Sequence, residues 1–172
     1  MAKKGNGKRI FWHIVMATLA FMILGPFQYA GLSGAVLVTL VAGYAMDPLE
    51  GAASSALYLL IGLFVAVYPG GGGGIGQLLG ERGGFLLAMP VCIFVISACI
   101  RGWSRKPVVG GLIGLLGAFA VYFGGGILWY TVKTGTPLGT VLSAGWGGTC
   151  LLFVMYGVFV MICAGSFRKM LR

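Results

Sequence analysis

From residue 10 onward the chain alternates between long apolar stretches and brief polar or Gly/Pro-rich joints. A helix needs about 20 mostly apolar residues to cross a bilayer, with a working range of roughly 17–25. Six stretches are candidates: residues 10–26, 29–46, 51–68, 83–102, 108–130 and 139–167. Between them stand "GPFQ", "DPLE", a glycine run after Tyr68, "RGWSRKP" and "TVKTGTP". The last stretch is longer than a bilayer requires, which predicts a tilt or a short break near 145–148. The pattern therefore predicts an all-α integral membrane protein, with six transmembrane helices in a single membrane domain over residues 1–172.

Composition leaves no soluble alternative. Of 172 residues, 59% are hydrophobic and 9% charged, with a mean hydropathy of +0.99. A soluble domain carries about a quarter charged residues, and this chain has too few to cover a globule. The start, "MAKKGNGKRIFWHIV", has the basic head and apolar body of a secretory signal. Its apolar part runs through Gly25 without an A-x-A cleavage site, so it reads as a retained first span.

The net charge of +9 is distributed as a topology signal, with no basic face for nucleic acid. If the N-terminus is cytoplasmic, that side holds Lys3, Lys4, Lys8, Arg9, Arg101, Arg105, Lys106, Arg168, Lys169 and Arg172. The opposite side holds Arg82 and Lys133. This asymmetry places both termini in the cytoplasm and the glycine run outside. The run "YPGGGGGIGQLLGERGG" lacks the G-x-x-x-x-G-K-[ST] pattern and a preceding strand, so it is not a phosphate loop. Cys92, Cys99, Cys150 and Cys163 sit in apolar runs without metal-ligand spacing and are expected to be buried, reduced thiols.

Small residues recur at four-residue spacing: Gly31/Ala35, Ala52/Ala56, Gly62/Ala66 and Gly110/Gly114/Ala118. In lipid such stripes let backbones approach closely, within the bundle or against a partner helix. Ionisable residues inside the spans are almost absent, and no carboxylate pair, Ser/His/Asp set or His/Cys cluster appears. No residues are present to carry an enzyme reaction or a proton relay. Asp47 and Glu50 read as turn and helix-end residues, and His13 as a packing or snorkelling residue. What remains near the glycine-run ends of the spans is polar or aromatic: Gln28, Tyr29, Tyr58, Tyr68, Gln77, Tyr122, Trp129, Tyr130 and Trp146. Such residues anchor a helix at the interface or line an apolar pocket with a few placed polar groups.

The stretch from Asp47 to Pro90 resembles the BioY family, the biotin-binding S components of energy-coupling factor (ECF) importers. That family has a G-P-x-x-G-x-x-S-x-x-x-Y-x-x-x-G helix, a glycine-rich loop and a G-P-T-G-G-Y-L-x-G-F-P turn. The counterparts here are Pro48, Gly51, Ser54, Tyr58, Gly62, the glycines 70–74 and 76, then Gly80, Gly83, Gly84, Phe85 and Pro90. The resemblance implies an ECF S-component-like bundle that captures a vitamin from outside. It would pass the vitamin inward when docked on a transmembrane coupling (T) protein with two ATPase subunits. It also implies a ligand site built from Tyr58, Tyr68, Gly70, Gly71, Gly72, Gly73, Gly74, Gln77, Arg82, Trp146, Phe153 and Tyr156. The chain departs from the family's P-F-x-P-G-D-x-x-K motif in the last span, whose Asp and Lys contact biotin. Phe153 and Tyr156 stand at those places by simple register.

Burying the N–H and C=O groups of a ureido ring without partners costs about 1–3 kcal/mol each. Loss of the charged pair therefore makes lipoate, with the same acyl-carboxylate tail and a dithiolane ring, a rival to biotin. The carboxylate is expected to meet backbone N–H groups of the glycine run, with help from Arg82 or Lys133. The contrasting expectation is a membrane assembly or structural protein that binds partner helices and no small molecule.

Overall fold

The computed structural model describes residues 6–29, 32–103, 106–143 and 147–170. In chain order these form α1 (Asn6–Leu24), a minimal hairpin of β1 (Gln28–Tyr29) and β2 (Leu32–Ser33), then α2 (Gly34–Ala45) and α3 (Pro48–Gly62). A single turn, α4 (Ile75–Leu78), precedes α5 (Gly83–Gly102), α6 (Pro107–Thr134), α7 (Leu138–Ser143) and α8 (Gly147–Met170). The hairpin is antiparallel, with Gln28 opposite Ser33 and Tyr29 opposite Leu32. The remainder is a helical membrane bundle.

Helix α5 is the hub, packed on α2, α3 and α6, while α1 lies against α2 and α3 and α8 against α2 and α6. The core between them contains Phe21, Leu40, Tyr58, Met89, Ile93, Ile96 and Phe153, all essentially without exposure. Apolar side chains also point outward, among them Phe11, Trp12, Met16 and Ile23 on α1 and Leu151 and Phe159 on α8. In lipid an outward apolar face has no need of cover, so close packing holds the helices together. Along the α5–α6 seam, Gly110, Gly114 and Ala118 are buried. A Cβ at Gly114 would stand 2.9 Å from the Ile96 Cα. This small-residue stripe packs inside the bundle. Ala56 and Ala66 on two other stripes face outward, and Gly31 lies outside the described residues.

Polar groups at the end opposite the glycine run tie the helices together. Pro48 occupies the first turn of α3, where its missing N–H needs no partner. Asp47 pairs with Arg101 at the end of α5, and Glu50 Oε2 lies 3.3 Å from His13 Nδ1 on α1. Ser97 Oγ donates to the Met46 carbonyl at 2.7 Å, and the Tyr44 hydroxyl to the Gly111 carbonyl at 2.9 Å.

Helix lengths differ from those read off the sequence, and the differences shape the other end. Within α1, α5 and α6 lie the described segments long and apolar enough to cross a membrane, while Gly34–Ala45 and Gly148–Cys163 are shorter apolar helices. At 12 and 15 residues, α2 and α3 run only about 18 and 22 Å. The second predicted span began at residue 29, but Gln28–Ser33 pairs as a hairpin and the helix starts at Gly34. The third ran to residue 68, but the helix ends at Gly62 and the chain turns back. Apolar composition alone does not separate helix from such backbone, which is tolerated at membrane depth where it is buried in protein or lines a cavity. The sixth stretch is divided between α7 and α8, and residues 144–146, where the break was expected, lie outside the described residues. All four cysteines are free, but only Cys92 is buried. Cys99 and Cys150 are half-buried and Cys163 is exposed, on the apolar outer surface.

Candidate functional site

Beyond Gly62 the chain forms a tied-down loop. The Tyr68 N–H donates to the Gly72 carbonyl at 2.8 Å, the Gly70 N–H to Pro26 at 3.1 Å, and the Gly74 N–H to Gly62 at 2.8 Å. Gly70, Gly71 and Gly74 have φ of +79°, +74° and +86°, a region that residues with a Cβ enter only with strain. The Gly71 N–H donates to Tyr68 at 3.0 Å. Three of the five consecutive glycines thus direct their N–H groups to internal carbonyls. Among the described residues, those of Gly72 and Gly73 have no backbone partner.

Two tyrosines lock this loop onto α3. The Tyr58 hydroxyl donates to the Val67 carbonyl at 3.0 Å, and the Tyr68 hydroxyl donates back to the Leu59 carbonyl at 2.5 Å. Their rings meet edge to face at 5.8 Å, and Tyr58 stacks on Phe21 of α1 at 5.1 Å. The pocket for Tyr68 exists because residue 62 is glycine: a Cβ there would overlap the phenol ring.

Next to the loop a cavity of about 220 Å³ opens, lined by Gln28, Ser33, Pro69, Gln77, Arg82, Phe85, Leu86, Met89, Tyr122, Phe123 and Thr149. Arg82 precedes the first turn of α5 and is exposed, so it marks the mouth. The positive end of the α5 dipole adds to its charge there. Trp129 of α6 holds the preceding turn by donating Nε1–H to the Gly80 carbonyl at 2.9 Å. Deeper in, the wall is aromatic: Phe85 leans on Tyr122 at 5.2 Å, and Tyr122 stacks on Phe153 at 5.4 Å with 27° between the rings. Phe123 packs edge-on to Phe153 at 5.5 Å, and Phe119 tilts against Phe123 at 4.7 Å. Gly126 leaves room for this wall, since a Cβ there would overlap the Phe85 ring.

Ser33 and Tyr122 both line this cavity with less than a tenth of their surface exposed. Among the described residues neither hydroxyl has a hydrogen-bond partner, and Ser33 does not cap α2 with its side chain. The other described buried hydroxyls, those of Thr18, Thr39, Tyr44, Ser54, Ser55, Tyr58, Tyr68 and Ser97, all donate to backbone carbonyls. An unsatisfied buried hydroxyl costs about 1–3 kcal/mol.

Of the residues expected at the site, the structure brings Gln77 and Arg82 together in the lining, with Gly72 against the Gln77 side chain. Tyr58 and Tyr68 are instead enclosed between α1, α3 and the loop, outside the lining set. Phe153 stands behind the wall and supports Tyr122 and Phe123. Tyr156 is half-buried on α8 and packs against the core. Trp146 lies outside the described residues. Lys133 sits over the Trp129 ring at 5.5 Å, away from the lining. Gln28 and Tyr122, named in the sequence only as interface anchors or pocket residues, also line the cavity, and Ser33, Phe85, Met89 and Phe123 line it without having been expected there. A usable signal existed for two of these four: Phe85 and Met89 are four apart and so share one face of α5. No such signal marks Ser33, which reaches the site through a hairpin that the apolar pattern concealed.

Comparison with known proteins places these features in context. Residues 9–172 match the BioY family model. Over 82 residues, 47% of this chain, there is 33% identity to the probable biotin transporter BioY of Pyrococcus horikoshii. The match covers 49% of that protein, so the chain spans about half the length of the curated relative it matches. A solved structure, the S-component for biotin from an ECF-type ABC transporter, superposes with a TM-score of 0.80. The superposition covers 98% of this chain and 95% of that one at 19% identity, a likeness of fold.

Proposed function

This chain belongs to the BioY family, and from that premise we propose that it is the substrate-binding (S) subunit of an ECF-type importer, capturing biotin or a biotin-shaped cofactor, with lipoate as the rival. One observation carries the reading: the cavity beside the glycine loop has a cation at its mouth and an aromatic interior. An acyl carboxylate with a compact ring at its other end has the matching polarity. Its carboxylate would face Arg82, with Gln28 and Gln77 as amide partners, and its ring would enter between Phe85, Met89 and Tyr122. A charge-assisted hydrogen bond of this kind is about twice as strong as a neutral one.

In this reading the loop faces the outside, both termini lie in the cytoplasm, and the glycines 70–74 form a lid over the ligand. Energy comes from a T protein and two ATPase subunits docked on the bundle. Isothermal titration of the detergent-purified protein with biotin and with lipoate tests the ligand. Nanomolar binding of biotin with none of lipoate removes the rival. Binding of neither, with no ligand-induced rise in melting temperature, favours the assembly-protein alternative.

A further inference from the structure

We propose that Ser33 and Tyr122 are specificity-determining residues whose hydroxyls hydrogen-bond the ring of the bound ligand, so that the cavity selects a head group carrying its own N–H and C=O groups. The inference rests on the S-subunit reading above and names the ligand class within it. The other described buried hydroxyls donate to backbone carbonyls, while these two line the cavity without a partner among the described residues. They also come from different parts of the fold. Ser33 is the last residue of the hairpin before α2, and Tyr122 lies on α6, its ring held between Phe85 and Phe153. The stacking keeps the phenol in place before a ligand arrives, which lowers the ordering penalty of binding.

The chemistry then discriminates between rings of similar shape. Water that serves these hydroxyls in an empty cavity must leave when a ring enters. A cyclic urea replaces its hydrogen bonds, whereas a dithiolane leaves both hydroxyls unsatisfied, and a displaced water whose bonds are not reproduced weakens affinity. Sites built to hydrogen-bond a ligand reject analogues without the matching group far more strongly than apolar pockets reject a change of size. The aromatic residues at positions 153 and 156 thus do not make the cavity blind to a polar ring. Recognition passes from the charged pair of the family motif to a pair of neutral hydroxyls on other elements.

The test is the ratio of biotin to lipoate affinity, measured on the full chain in detergent for wild type, Tyr122→Phe, Ser33→Ala and the double variant. A ratio taken within one preparation is insensitive to the folded fraction, and apo melting temperatures report folding separately. Wild type is expected to prefer biotin by at least about tenfold, with each single substitution weakening biotin by roughly 5–10-fold. Lipoate affinity should stay level or rise, and the double variant should lose the preference. A ratio that neither substitution changes, or a wild type that prefers lipoate, overturns the assignment of these residues while leaving the S-subunit reading intact. Failure of wild type to bind either compound overturns that reading and this assignment with it.

Discussion

Substitution Tyr68→Phe isolates the loop lock from everything else at that end of the bundle. The ring stays, and with it the edge-to-face contact to Tyr58 and the fit over Gly62. Only the hydroxyl is lost. Its acceptor, the Leu59 carbonyl, lies at the end of α3, where the Leu63 N–H is taken by Leu60 and the Val65 N–H by Ile61. Leu59 therefore has no replacement donor close at hand, and the group is enclosed. Leaving such an acceptor unsatisfied costs about 1–3 kcal/mol. For a chain of 150–250 residues each kcal/mol moves the melting temperature by about 2–4 °C, so a fall of roughly 2–12 °C is expected.

The same substitution should loosen the loop more than the bundle. Amide hydrogen exchange at residues 70–74 should accelerate, while exchange in α5 and α6 stays slow. Tyr58→Phe, which strands the Val67 carbonyl, should act in the same direction. Because the two rings touch, the double variant should fall short of the sum of the singles. An unchanged melting temperature together with unchanged exchange at residues 70–74 in both single variants would refute the lock.

Two further outcomes follow from the loop and from the opposite end. Gly72→Val presses on the Gln77 side chain and Gly74→Val forces a Cβ into a φ of +86°; both should reduce ligand uptake severalfold in cells, and unchanged uptake would remove the lid role. Arg101→Ala breaks the pair with Asp47, but both side chains are about half exposed, so chemical denaturation should register a loss of no more than about 1 kcal/mol.

The membrane class and the position of the loop in the chain were legible because they depend on one-dimensional quantities. A crossing helix announces itself by unbroken apolar length, as residues 83–102 do, and the glycines 70–74 announce a turn without reference to anything distant. Arg82 was legible for the same reason, as a lone cation beside that loop.

The cavity was not legible, because its walls come from residues far apart in the chain. Ser33, Phe85 and Tyr122 sit on a hairpin, on α5 and on α6, and nothing in their local sequence orders them toward one space. In a bilayer the apolar pattern cannot even separate inside from outside. Phe159 and Phe153 are both aromatic positions of α8, yet one faces outward and the other braces Tyr122. Composition decided that this chain lies in lipid. Only the tertiary packing decided which tyrosines lock a loop, between α1 and α3, and which one lines a cavity, between α5 and α8. That choice depends on close approach and hydrogen-bond partners, which hydropathy does not record.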